Sequence, residues 1–441
     1  MFVDASARNP APRDLETVPS PPQSPHYGRC ASNARDLHPT EPRSNSQPTL
    51  QSLIMAAAAV ATPSHLPNHH KSPSYLSTRA IKDTQINYED PRSAQKTKAS
   101  QGYPLSTHLT PKPPGPNQLY KQKGVNYGDW RDDLVRDGFV VVKGVIPKER
   151  ALAYGDAVFD YLESFPTGGF QRGDISTVLE KNLPVMNEKG MIFGYGINHE
   201  EIAWNIRQEP RLIAAYEKLH DTPDLLVSFD SMNIQWPNRP DQKPNTPWPH
   251  QDQDPATAST FRCMQGLVNI LPNGSDDGGL YVCKGAHAAS EEFHRLFKDE
   301  PDKIWSWTHE WYGFTSSGLK WLEEKGYEWV KPNMEPGDLI LWDSRTPHYN
   351  LVPKGNTPRI AYYTCYGPVT DASHEQLVKK KEALEKTIST THWPNALHVG
   401  GLFPERNGKR CQYDTGMPRK EVELTERGWK LTGIPYIGSD Q

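Results

Sequence analysis

The sequence predicts a mainly β fold, a sandwich or barrel with flanking helices, preceded by a disordered N-terminal tail. Three observations carry this reading. From Leu225 to Pro368 the chain is a series of short β-rich runs (LLVSF, SMNIQW, CMQGLVNIL, GLYVCK, EWVK, DLILWD and RIAYYTCYG) separated by Gly, Pro, Asn and Asp, the punctuation of an all-β sandwich or barrel. Helical spacing of apolar residues occurs on either side of that block. Composition divides the 441 residues: 18 of the 41 prolines fall in residues 1–118, whereas all 12 tryptophans lie at Trp130 or beyond, so only the second part has the means to bury a core.

The tail, residues 1–118, holds five aromatics and runs through Pro/Ser/Asn-rich text such as SPPQSPH and TPKPPGPN. Too little apolar surface is available there to offset the entropy of ordering, which predicts disorder. Its Leu53–Ala61 run is the longest apolar stretch of the chain and predicts at most a transient helix, alanine being the best helix former. At nine residues it falls far short of the roughly 20 that span a bilayer, so no membrane partner is expected. The first residues carry Asp4 and no basic cluster ahead of an apolar run, unlike a signal peptide, and the location expected by default is the cytoplasm.

A domain is expected over residues 126–370. Asp129–Arg136 reads as a short helix, Gly138–Ile146 as a buried strand ended by Pro147, and Lys148–Phe165 as a helix stopped by Pro166. A second long helix is expected from His199 to Leu219, and both would form an outer layer. Residues 371–441 read as a Lys/Glu-rich helix, Ala372 to about Ser389, with charges on a solvated face, followed by a loop-rich extension packing on the domain. The net charge of −4 and pI near 6.5 offer no basic face for nucleic acid. Five widely spaced cysteines without a C-x-x-C pair exclude a disulfide scaffold or zinc ribbon as the organising principle. Oligomeric state leaves no trace in the sequence.

Within the β block, His250-Gln251-Asp252 is followed almost a hundred residues later by His348, each beside an expected strand end. In an extended segment residues i and i+2 share a face, so His250 and Asp252 can grip one ion, and a third ligand from a distant strand completes one triangular face of an octahedron. Two His and one carboxylate with three open positions is the arrangement of non-haem Fe(II) oxygenases. Arg359, beyond the turn Pro353–Pro358, returns on the next strand beside the metal, where its planar fork suits a carboxylate taken bidentately. The implied co-substrate is a dicarboxylate that chelates the iron at one end and meets Arg359 at the other.

These motifs resemble the phytanoyl-CoA dioxygenase-like branch of the Fe(II)/2-oxoglutarate-dependent oxygenases. The likeness covers roughly Asp129–Pro368 and rests on Gly138–Ile146, His250-Gln-Asp252, Gly278-Gly-Leu-Tyr-Val-Cys-Lys-Gly-Ala-His287, Glu335-Pro-Gly-Asp338, His348 and Arg359 in order. It implies a double-stranded β-helix, the jelly roll or cupin-like core. It also implies Fe(II) on His250, Asp252 and His348, 2-oxoglutarate as co-substrate on Arg359 with contacts from Gln251, Met232 and Asn350, and consumption of O2 with release of succinate and CO2. No catalytic side chain beyond the iron ligands is implied. Family members that halogenate have a small residue at the position of Asp252, so its presence here favours hydroxylation or a related oxidation. The family's Pro-Gly-Ser-His becomes Lys284-Gly-Ala-His287, a turn distant from the ligands.

Substrate identity does not follow from the fold. Phe170–Tyr195 and Thr390–Gly416 are expected to border the cavity, with Trp248 lining it and Arg172 meeting an acidic group. The absence of a compact Arg/Lys cluster near the motifs favours a small organic metabolite over an acyl-CoA. Two rival readings stay open: a non-catalytic jelly-roll protein that binds a metal or ligand, and a desaturase, epimerase or ring-forming oxidase on the same iron.

Overall fold

The computed structural model describes residues 97–98, 108–239, 241–242, 246–305, 309–396, 398–399 and 403–438, and the β block between Leu225 and Pro368 forms strands where its apolar runs lie. The strands of the two facing sheets are β1 (Phe139–Val142), β2 (Met232–Gln235), β3 (His250–Gln251), β4 (Met264–Asn269), β5 (Gly279–Lys284), β6 (Ile304–Trp305), β7 (Tyr312–Gly313), β8 (Glu328–Val330), β9 (Leu339–Asp343), β10 (His348–Leu351) and β11 (Arg359–Tyr363). One sheet runs β1-β9-β4-β11-β2 and the other β8-β5-β10-β3-β7-β6, with antiparallel pairing throughout. Non-sequential neighbours of this kind are the double-stranded β-helix that the motifs imply.

Register assigns every side chain to a face, because residues paired across an antiparallel ladder share one. In the five-stranded sheet, Leu267, Ile340, Trp342 and Ala361 turn inward to a small apolar cluster with Leu280 and Val282 of the opposite sheet. Val140, Met264, Val268, Leu339, Leu341, Ile360, Met232 and Ile234 turn outward into a larger core. Helices cover that outer face: α1 (Trp130–Asp137), α2 (Lys148–Glu163), α3 (Glu201–Arg207) and α4 (Pro210–His220). The sheet is therefore covered on both sides, with apolar residues on the helix side and polar ones (Asn233, Gln265, Arg359) interspersed on the inner face. The single helix expected from His199 is two, because Pro210 lacks the N–H an uninterrupted helix needs and instead opens the second at its first turn.

Gly337 shows why a Gly-Asp pair precedes the distal histidine. Its φ is +88° and a Cβ there would lie 2.0 Å from the Ile146 carbonyl, while Asp338 accepts from the Gly144 amide (2.9 Å), the Glu335 amide (2.8 Å) and Lys143 (2.8 Å). This turn launches β9, which ends at the loop before His348.

The tail expected over residues 1–118 lies largely outside the described residues, as does Leu53–Ala61. Its last stretch departs from the expectation: residues 108–118 are held by hydrogen bonds from the amides of Leu109 to the Pro435 carbonyl (2.7 Å), Gly115 to the Asp221 carbonyl (2.9 Å) and Asn117 to the Asp221 carboxylate (2.9 Å). Two further helices, α5 (Ser290–Leu296) and α6 (Ser316–Glu324), precede β11, and α7 (His374–Glu385) and α8 (Glu426–Leu431) follow it. Ser373 and Gln376 close a capping box at the start of α7. Its charges are not all solvated: Lys380 is buried, donates to the Val227 carbonyl at 2.6 Å and sits 3.8 Å above the Phe229 ring. Among the described residues no helix is long and apolar enough to cross a membrane.

Candidate metal centre

His250 and His348 stand opposite each other on β3 and β10, and Asp252 follows two residues after His250 on the same face. All three are buried. Their ligand atoms converge: Asp252 Oδ2 lies 3.4 Å from His250 Nε2 and 3.2 Å from His348 Nε2, and the three donors fall within 4.8 Å of one another. The position of Asp252 is set by its surroundings. Its amide donates to the Ser344 carbonyl (3.1 Å), and Gln253 next to it staples the following loop by donating to the Thr257 and Thr260 carbonyls, 2.8 Å each, while accepting from Ser344 Oγ at 2.8 Å.

The donor set calls for a cation. His250 Nδ1 faces the Trp248 carbonyl at 3.1 Å and His348 Nδ1 faces the Thr346 carbonyl at 2.9 Å. A carbonyl only accepts, so each imidazole carries its proton on Nδ1 and presents a bare lone pair at Nε2. Burial lowers the His250 imidazole below its ordinary value. Burial would raise the Asp252 carboxyl, yet the two imidazoles override it and hold the group well below the carboxylate range. With both imidazoles neutral and protonated on Nδ1, two nitrogens and an anionic oxygen converge on one place, and a single cation between them satisfies all three. Bonds of about 2.1 Å to an octahedral ion put adjacent ligands about 3 Å apart, close to the separations found here.

Gln265, on the inner face of β4, donates from Nε2 to Asp252 Oδ2 at 3.0 Å and so fixes the carboxylate from behind. Removing such an outer partner typically weakens metal binding about 10- to 100-fold. Gln265→Leu is therefore expected to raise the Fe(II) concentration needed for half-saturation by about that factor with the thermal midpoint little changed; an unchanged titration would remove Gln265 from the site.

Further along the inner faces lies a second polar group. Arg359 on β11 is buried; one guanidinium nitrogen donates to Asn233 Oδ1, and Nη2 is buried without a partner. Burial lowers its pKa, partly offset by the neighbouring Tyr363 hydroxyl. Among the described residues no carboxylate lies within ion-pair distance of it. Asn350 donates to Tyr363 Oη at 3.1 Å, leaving its own Oδ1 buried and unpartnered, as is Gln235 Oε1. A cavity of about 450 Å3 lined by Gln235, Arg239, Asn350 and Lys354 adjoins this end. A buried guanidinium without a carboxylate partner among the described residues, beside unsatisfied amides, is complementary to an anion.

The structure thus brings together His250, Asp252, His348, Arg359 and Asn350. It does not bring in three residues expected there. Met232 pairs with Tyr362 on the outer face of the sheet and packs in the helix-covered core; the inward neighbour is Asn233, one residue along. Gln251 alternates away from His250 and Asp252 and donates to the Gln253 carbonyl at 3.1 Å. Arg172 is spent on Asp156, Asp160 and Glu163 of the α2 helix, so its fork is not free for an acidic ligand. Trp248 does lie at the site, its indole stacked on the His250 ring (4.3 Å, 9°), and Trp311 stacks on the same ring (5.3 Å, 21°).

Besides Asn233 and Gln265, sequence reasoning passed over His392. It belongs to the Thr390–Gly416 tail expected to border the cavity, feels the charges of Asp252 and His348, and has a buried, unpartnered Nε2. Its neighbour Trp393 lies under the Arg262 guanidinium (4.7 Å), which in turn binds Glu310 at 2.6 and 2.8 Å, latching the extension beside the triad.

The model of the phytanoyl-CoA dioxygenase family matches residues 134–359, a span that contains the triad and ends on Arg359. "Ava biosynthesis cluster protein O" of Aspergillus versicolor is 39% identical over 272 residues, 61% of this chain and 87% of that protein. Among solved structures, the epimerase SnoN in complex with Fe3+, alpha ketoglutarate and nogalamycin RO is 18% identical over 64% of this chain and 93% of its own, with a TM-score of 0.38. EctD from S. alaskensis with 2-oxoglutarate and 5-hydroxyectoine is 14% identical over 60% of this chain and 84% of its own, with a TM-score of 0.36.

Proposed function

The chain belongs to the phytanoyl-CoA dioxygenase family of Fe(II)/2-oxoglutarate-dependent oxygenases, and from that premise we propose that His250, Asp252 and His348 hold the iron while Arg359 anchors the far carboxylate of 2-oxoglutarate. The chain is an enzyme, an oxidoreductase that uses Fe(II), 2-oxoglutarate and O2. When bound, the iron and its co-substrate supply the activation of O2 that oxidises an unactivated C–H bond, with release of succinate and CO2. The observation that carries the residue assignment is the convergence of three lone-pair donors, at 3.2 and 3.4 Å, with a buried guanidinium on the inner face of the opposite sheet that has no counter-charge among the described residues.

The protein's own share is orientation and exclusion of water. Gln265 holds the carboxylate, backbone carbonyls fix both imidazole tautomers, and the Trp248 and Trp311 indoles stack on His250. Asn233 and Tyr363 set the plane of the Arg359 fork, and Asn350 adds an amide to the same cradle. The proposed substrate is a small organic metabolite, hydroxylated or otherwise oxidised at carbon; the relative named for a biosynthesis cluster supports a place in specialised metabolism. Domain limits of 126–370 for the oxygenase and 371–441 for its extension belong to the same proposal, with the extension contributing His392.

Anaerobic titration of the metal-free protein with Fe(II) and then 2-oxoglutarate tests the assignment. A visible metal-to-ligand charge-transfer band is expected only when both are present. A folded protein that binds neither would overturn the reading.

A further inference from the structure

We propose that Lys189 is the substrate-recognition cation of the iron site and that the substrate is an organic acid whose carboxylate pairs with it. The inference rests on the proposed iron site and goes beyond it by naming a residue and a chemical class.

Lys189 sits at the tip of a hairpin, and its main chain is held with unusual completeness for a loop. Asn187 Oδ1 accepts from the amides of Lys189 (3.0 Å) and Met191 (2.9 Å). The Lys189 carbonyl accepts from Asn233 Nδ2 (2.6 Å) and Gln235 Nε2 (3.1 Å), and the Ile234 amide donates to the Gly190 carbonyl (2.8 Å). Gly190, at φ +79°, allows this close approach, since a Cβ would stand 2.4 Å from the Ile234 carbonyl. Asn233 binds Arg359 with its other end, so one amide ties the hairpin directly to the co-substrate cradle.

The side chain is placed as firmly. Lys189 Nζ lies 3.6 Å from the centre of the Trp248 ring, which is stacked on His250. A half-buried ammonium is thereby fixed beside a metal ligand by a cation–π contact. Among the described residues no acidic group stands within ion-pair distance of it. Glu188 is exposed to solvent, and Asp252 acts on it only from farther away. Burial lowers its pKa from the ordinary value, the consequence of desolvation without a partner. Trp248 Nε1 is a second buried donor with no partner. A cation held rigidly without its counter-charge, next to an unused N–H donor, is complementary to an oxyanion carried in by the substrate.

The test uses the Fe(II)/2-oxoglutarate complex of the full chain under anaerobic conditions. The probes are a panel of alkyl, aryl and bicyclic carboxylic acids, each matched with its primary amide, and binding is read from perturbation of the charge-transfer band. Acids are expected to bind wild type about ten-fold or more tightly than their amides, Lys189→Met to bring that ratio close to one, and Lys189→Arg to retain most of it. An acid-to-amide ratio near one in wild type, a preference that survives Lys189→Met, or no acid bound at millimolar concentration would each overturn the proposal. The unperturbed band serves as the internal control. Its absence in wild type counts against the iron site itself, whereas its presence in all three proteins confines the result to Lys189.

Discussion

His348→Ala is expected to abolish turnover while leaving a folded protein. Loss of an outer partner already weakens a metal site about 10- to 100-fold, and loss of one of three ligands removes the facial geometry altogether, so activity below about a thousandth of wild type is the expected level. The fold should tolerate the change for a definite reason. Without metal, His348 Nε2 lies 3.2 Å from Asp252 Oδ2, and after truncation Asp252 keeps its contacts with Gln265 and His250. The losses are the bond from Nδ1 to the Thr346 carbonyl at 2.9 Å and ring contacts with His250 and Trp342. A net hydrogen bond is worth about 1 kcal/mol, so the metal-free thermal midpoint should move little. The contrast appears on adding Fe(II) anaerobically: wild type gains about 2.7 kcal/mol at a hundredfold excess over Kd and its midpoint rises, whereas the variant's stays where it was. A variant that still gains stability from Fe(II) and still turns over 2-oxoglutarate would sink the ligand assignment.

How much of this was legible beforehand depended on what each residue answers to. That His250, Asp252 and His348 converge was readable because ligand chemistry restricts residue type, and because a period-two strand with a later partner strand restricts spacing. Met232 was expected at the site and its neighbour Asn233 was passed over for one reason: a strand alternates faces, and a one-residue error moves a side chain from the cavity to the helix-covered core. The run SMNIQW does not say which parity faces inward; the pairing of Met232 with Tyr362 does. Gln251 fell to the same alternation. Gln265 was invisible because its partner, Asp252, is joined to it only by the sheet. Arg172 illustrates a different limit. A lone arginine in a loop says nothing of its neighbours, and three carboxylates along one face of the preceding helix claim it. Lys380 read as solvated for the converse reason, since a Lys/Glu-rich helix gives no sign that one lysine finds a buried carbonyl.

Arg359→Met should separate the two halves of the site. Iron binding is expected to persist, because no atom of Arg359 is within the ligand set, while 2-oxoglutarate affinity collapses. Truncating one partner of a buried, hydrogen-bonded charge pair costs about 2–5 kcal/mol, and with about 1.36 kcal/mol per decade this is a rise in Kd of roughly 30- to several-thousand-fold. Thermal stability should move the opposite way. In the ligand-free protein the guanidinium is buried with Nη2 unpartnered and no carboxylate in reach among the described residues, and Lys331 places a second cation near enough to be felt. An uncompensated buried charge is destabilising, so an apolar side chain of similar length should leave the metal-free midpoint unchanged or raise it, despite the loss of the bond to Asn233. Arg359→Lys should fall between, keeping the charge and losing the planar fork that takes a carboxylate bidentately. The discriminating measurement is the charge-transfer titration run beside a thermal melt. A variant that binds 2-oxoglutarate as wild type does would show that the co-substrate's far carboxylate is held elsewhere. A variant that loses affinity and stability together would show that Arg359 holds the sheet rather than the ligand.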